Sequence, residues 1–143
     1  MNQADLRLLA QERISDAEAL ITGGRWSFAY YVAGYAVECA LKACLLARMI
    51  YTGWVFQEKV KIDECLTHDF GKLIHVAGLK DELDAALAAS AAGNRAFAGN
   101  WGTVIQWKVT DRYGSKTETE AKALYAAITD NPDGVLQWIM NYW

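Results

Sequence analysis

The sequence predicts an all-α protein, an up-and-down antiparallel helical bundle of about five main helices with short helices between them. Two observations carry that prediction. The 143 residues include a single proline, Pro132, and no run alternates β-branched with polar residues over strand length. Ala, Leu, Glu and Lys instead dominate segments with helical spacing of apolar positions.

Taken in order, the first helix is predicted from about Asp5 to Ile21, with Leu6, Leu9, Ala10, Ala17 and Leu20 on one face. Gly23 and Gly24 stop it. The second runs from Arg25 to about Met49 and is apolar nearly all round, which makes it the central element. Residues 51–66 read as a loop with a helical turn, because the alternation in VKIDECL is too short for a strand. Thr67 is placed to cap a short helix over DFGKLIHVAGL, with Asp69 in its first turn. Asp81 to Ala92 is an Ala-rich amphipathic helix, NRAFAGN breaks it, and Trp101 to Val109 forms another short helix. Ser115 and Glu118 have capping-box spacing and open a helix to about Ile128. Asn131 and Pro132 read as cap and first position of a last helix that ends in Trp143. With no repeat, linker or low-complexity run, residues 1–143 read as one domain.

Seventeen acidic residues against fourteen Lys and Arg give a net charge of −3, so no global basic field draws the chain to nucleic acid. Any such contact has to rest on a local patch. The stretch MNQADLRLLAQERISDAEAL has no apolar signal core. Residues 29–51 are apolar enough to suggest a membrane span, yet Glu38 and Lys42 near its middle would cost several kcal/mol in a bilayer. A buried core helix and a cytoplasmic protein follow. Cys39, Cys44 and Cys65 cannot all pair within one chain, which fits a reducing compartment, and they show no metal-ligand spacing.

On the central helix, Tyr31, Tyr35, Glu38 and Lys42 follow one another at intervals of four, three and four residues and line one stripe. If that face is covered, Glu38 needs a partner beyond Lys42, and the candidates elsewhere are Arg112 and His68. His68 and His75 lie seven residues apart without a Cys cluster, so no metal is expected. The TDRYGSK turn offers Arg112, Tyr113 and Lys116 ahead of a helix, either to hold a phosphate or to close a buried ion pair. Trp138, Ile139 and Trp143 put large apolar area on the terminal helix, which predicts a two-fold homodimer. No Gly-rich phosphate loop, Ser–His–Asp order or metalloprotease motif is present, and no cofactor is expected.

Four pieces in order resemble the HEPN domain family in its small stand-alone prokaryotic form: LAQERISDAEALITGGRWSFAYYVAGYAVECALKACLLAR, THDFGKLIHVAGL, the WKVTDRY turn and the closing GVLQWIMNYW. The most specific is AGYAVECALKA followed by THDF. The resemblance implies a helical bundle, frequent homodimerisation, association with nucleotides or RNA, and pairing with a minimal nucleotidyltransferase in toxin–antitoxin-like systems. It makes Tyr31, Tyr35, Glu38, Lys42, His68, Asp69, Arg112 and Tyr113 the ligand-binding candidates, with Arg112 a neighbour of Glu38 across a cleft. Many members are metal-independent ribonucleases that place four to six residues between an arginine and a histidine. Here the histidine slots counted from Arg112 hold Thr117, Glu118 and Thr119, and the imidazole that would carry the proton is missing. The expectation is therefore a binding protein without the standard ribonuclease activity. An RNA-cleaving toxin built on Glu38, Arg112, Tyr113 and His68, and a purely structural dimerisation module, are the alternatives.

Overall fold

A computed structural model describes residues 1–52 and 62–143. Among them every regular element is helical. Helix α1 (Gln3–Thr22) begins two residues before the expected start, because Asn2 caps it. The Asn2 side chain accepts from the Asp5 N–H, and the Asp5 carboxylate accepts from the Asn2 N–H. Gly24, at φ +70°, turns the chain, and the Arg25 N–H closes back on the Leu20 carbonyl. Helix α2 (Trp26–Thr52) then returns antiparallel to α1.

Helix α2 is the centre of the fold. Thirteen consecutive residues from Val32 to Cys44 include only two that are not buried, Tyr35 and Lys42. The all-round apolar character that predicted a central helix is thus realised: α1, α4 (Phe70–Val76), a 3₁₀-helix (Val109–Tyr113), α7 (Glu118–Thr129) and α8 (Val135–Ile139) all pack on it. Gly34 is required there. A Cβ at that position would lie 2.2 Å from the Trp107 ring, so the indole sits directly on the α2 backbone.

After α2, residues 53–61 lie outside the described residues, and with them most of the segment expected to be a loop. Helix α3 (Ile62–Cys65) is a single turn. Helix α4 (Phe70–Val76) is capped by Asp69, whose carboxylate accepts from the Lys72 N–H. Thr67, expected as the cap, instead accepts from the Asp69 N–H and sets up the turn before it. Helix α5 (Lys80–Ala92) matches its expected span to one residue.

Further boundaries differ from expectation. Helix α6 (Phe97–Val104) starts four residues earlier than Trp101 and ends five before Val109; the break is confined to Gly93–Ala96 and Phe97 enters the core. The 3₁₀-helix (Val109–Tyr113) occupies the turn before α7 (Glu118–Thr129). The capping box of α7 is Thr117 with Glu120, not Ser115 with Glu118: the Thr117 hydroxyl accepts from the Glu120 N–H, and the Glu120 carboxylate accepts from the Thr117 N–H. The spacing is as expected, but the register is two residues later. Helix α8 (Val135–Ile139) is short and begins after Gly134, so Asn131 and Pro132 lie in the preceding turn, joined by a cis peptide, and do not open the helix.

The terminal aromatics make several contacts within the chain. Trp138 lies 5.6 Å from Phe97 and 5.2 Å from Tyr142 between ring centroids, Arg7 sits over the Trp143 ring, and Ile139 is fully buried. These contacts cover part of their area, and Trp138, Tyr142 and Trp143 stay half-buried. Among the described residues no helix is long and apolar enough to cross a membrane.

Candidate functional site

Glu38 is the one buried carboxylate among the described residues, at 2% exposure, and it is fully partnered. Helical spacing brings Lys42 Nζ to 2.7 Å from Oε1. His68, from the turn before α4, brings Nδ1 to 2.9 Å from each of the two carboxylate oxygens. A carboxylate accepts and does not donate, so Nδ1 carries the proton of that bond and Nε2 is the ring nitrogen left for another partner. The His68 side chain is half exposed, whereas the carboxylate that orients it is sealed.

Why His68 arrives there follows from its neighbours. The Thr67 and Asp69 side chains fix the turn through backbone N–H groups at 3.1 and 2.9 Å. Phe70 anchors it in the core, stacked on Trp107 at 5.1 Å with ring planes 5° apart. Trp107 in turn lies against Gly34 and 6.0 Å from Tyr31, which continues to Tyr35 at 6.2 Å. The stripe expected on α2 is therefore a physical surface, with aromatic rings at one end and the Glu38 network at the other. Burial raises the Tyr35 phenol, and burial pushes the adjacent Cys39 thiol up to about 11. Cys44, deeper in the core, is pushed by burial to about 12. Both thiols stay protonated and behave as small core hydrophobes.

A cleft of about 670 Å³ opens beside His68. Residues 67–71 form one wall, and Ile105 with residues 107–110 form the other. Thr67, His68, Asp69, Lys108 and Thr110 supply its polar groups, and Phe70, Trp107, Ile105 and Val109 its apolar ones.

Of the residues expected from the sequence, Tyr31, Tyr35, Glu38, Lys42, His68 and Asp69 come together on or beside this face. Arg112 and Tyr113 do not. Arg112 stacks over the ring of Tyr113, 4.7 Å away, and both are exposed. The expected meeting of Arg112 with Glu38 is thus corrected: His68 occupies that place. The cause lies in the 3₁₀-helix, which turns Asp111 and Lys116 inward and leaves Arg112 outside. Asp111 accepts from the Lys108 N–H and pairs with Lys116 Nζ at 3.1 Å, while the Lys116 N–H donates to Ser27 on α2. Lys116 Nζ also lies 4.3 Å over the Tyr30 ring. Burial pulls the Lys116 ammonium down, but the Asp111 hydrogen bond and nearby negative charge prevail and raise it.

Sequence reasoning missed Lys108, Thr110 and the seat of Trp107 on α2, although Trp107 was expected as a core or interface anchor. Only one signal pointed to the last: a glycine, Gly34, at the centre of an apolar helix, which marks a close approach. No family model matches the chain, and no curated protein or solved structure matches it either.

Proposed function

We propose that this chain is a HEPN-like nucleotide- or RNA-binding protein, cytoplasmic and dimeric, that works in a toxin–antitoxin-like or nucleotidyltransferase-associated system without the standard ribonuclease activity. The observation that supports binding most directly is the sealed Glu38 carboxylate holding a half-exposed His68 at the mouth of a cleft. A buried carboxylate costs free energy to keep. Here it fixes the orientation and tautomer of one imidazole, and the lysine beside the cleft, Lys108, has no ion-pair partner among the described residues. Apolar rings beside the cleft suit a base, and the lysine at its rim suits a phosphate. Calorimetric titration of the purified protein with the common nucleotides and with tRNA tests this. Saturable binding that weakens in His68→Gln is expected, and no binding at millimolar ligand sinks the reading.

The same pair favours a second reading, RNA cleavage at a non-standard site. An imidazole oriented by a carboxylate is suited to take a proton from a hydroxyl. Incubation with total RNA decides between the two: fragments ending in cyclic phosphate that vanish in His68→Asn would establish cleavage, and intact RNA would leave binding alone.

A further inference from the structure

We propose that the cleft beside His68 takes a singly phosphorylated nucleotide, rather than a nucleoside triphosphate or an extended RNA strand; this rests on the nucleotide-binding reading above. Size is the first argument. At about 670 Å³ the cleft falls within the range of small-ligand sites. A single strand needs a basic groove along its backbone and ring faces on which successive bases stack. The two aromatic residues that line this cleft, Phe70 and Trp107, are 3% and 4% exposed and stacked on each other. They provide an apolar wall for one base and no platform for a second.

Charge is the second argument. The lining holds one lysine, Lys108, one imidazole, His68, and one carboxylate, Asp69. Asp69 Oδ1 already accepts from the Lys72 N–H, and His68 Nδ1 is committed to Glu38. The cationic group available to an anion is therefore Lys108 Nζ, with the Thr67 and Thr110 hydroxyls as donors beside it. That set matches a phosphate monoester, which carries roughly −1.5 to −2. Triphosphates are held by more cations, commonly with magnesium bridging the phosphates. Arg112, the strongest phosphate-binding type in this region, is outside the lining and does not add to the count.

The test is calorimetry on the full chain with AMP, GMP, CMP and UMP, the four nucleosides, ATP with magnesium, and an RNA of about ten nucleotides. The expected result is that at least one monophosphate binds about tenfold more tightly than its nucleoside and no more weakly than ATP or the RNA. In Lys108→Gln that advantage over the nucleoside disappears while the thermal midpoint is unchanged. Lys108 is exposed and its backbone N–H still reaches Asp111, so the variant keeps the 3₁₀-helix. ATP or RNA binding tenfold more tightly than every monophosphate overturns the inference and leaves the nucleotide-binding reading standing. No binding by any of these ligands overturns both. Lys108→Gln with undiminished monophosphate affinity overturns the placement of the phosphate.

Discussion

Two charged contacts are set into the same helix, α2, and they are built differently. Near its start, Lys116 and Asp111 reach it from one loop, with their side chains 19% and 16% exposed. Lys116 also lies over Tyr30, and its backbone N–H donates to Ser27. Both ends of that ion pair are equally sheltered, and together they clasp the loop to the helix. At its middle the distribution is lopsided. Glu38 is 2% exposed, while its two partners, Lys42 and His68, are 24% and 49% exposed. The deep group cannot leave and the shallow ones can. A symmetric clasp holds structure, whereas a fixed acceptor with movable donors can present those donors to something else.

The largest expected effect tests that asymmetry. Lys42→Ala or His68→Ala alone leaves Glu38 one partner, and each should cost about 1 kcal/mol. Together they strand a sealed carboxylate, for roughly 3–5 kcal/mol. The double variant should therefore cost more than the sum of the singles in urea melts. Simple additivity would mean that some other group satisfies Glu38 when both are gone.

Next in size is Gly34→Ala. The new methyl would sit 2.2 Å from the Trp107 ring, which has no flexible end to withdraw. The indole must leave the helix and disturb Phe70 and the cleft wall, for roughly 1–3 kcal/mol as an overpacked core. A thermal melt together with tryptophan fluorescence reads both consequences. An Ala variant as stable as the parent would show that Trp107 is not seated on α2.

The clasp should behave in the opposite sense from the Glu38 network. Lys116→Met and Asp111→Asn each remove one end of a partly exposed pair, worth about 1 kcal/mol or less after solvent screening. The double variant should cost less than the sum, because either single change already breaks the pair. Coupling of the same sign as at Glu38 would erase the distinction between the two contacts.

How far the sequence foretold these regions depends on the range of the signal. The central helix was legible because its apolar character is local to its own residues, and so was the pairing of Glu38 with Lys42, which helical spacing enforces. The identity of the third partner was not. His68 and Arg112 were both candidates, and the choice between them is made by the 3₁₀-helix, which turns Asp111 and Lys116 inward. Nothing in TDRYGSK alone says which of its charges faces the core. Lys108 and Thr110 were missed for the same reason, since a cleft is a property of two segments brought together by packing. The last helix was overread because Asn–Pro is a common opening pair, whereas here Gly134 precedes the first helical residue.

The smallest effect concerns the cap of α7, where expectation and structure share a spacing but differ in register. Thr117→Ala should cost about 1 kcal/mol, while Ser115→Ala should change nothing measurable, since Ser115 is exposed and outside the box. The cap also fixes a pH dependence. The Thr117 backbone N–H and then its hydroxyl hold the Glu120 carboxyl below its ordinary value. A depressed folded value means that the ionised form is favoured by folding. That contribution is present above the usual glutamate range and is lost as pH falls through the depressed value. Glu120→Ala should therefore lower the thermal midpoint at neutral pH, and the gap from the parent should close on acidification. A gap that persists unchanged at low pH would mean that Glu120 acts through packing alone. An effect of Ser115→Ala equal to that of Thr117→Ala would move the cap back to the register first read from the sequence.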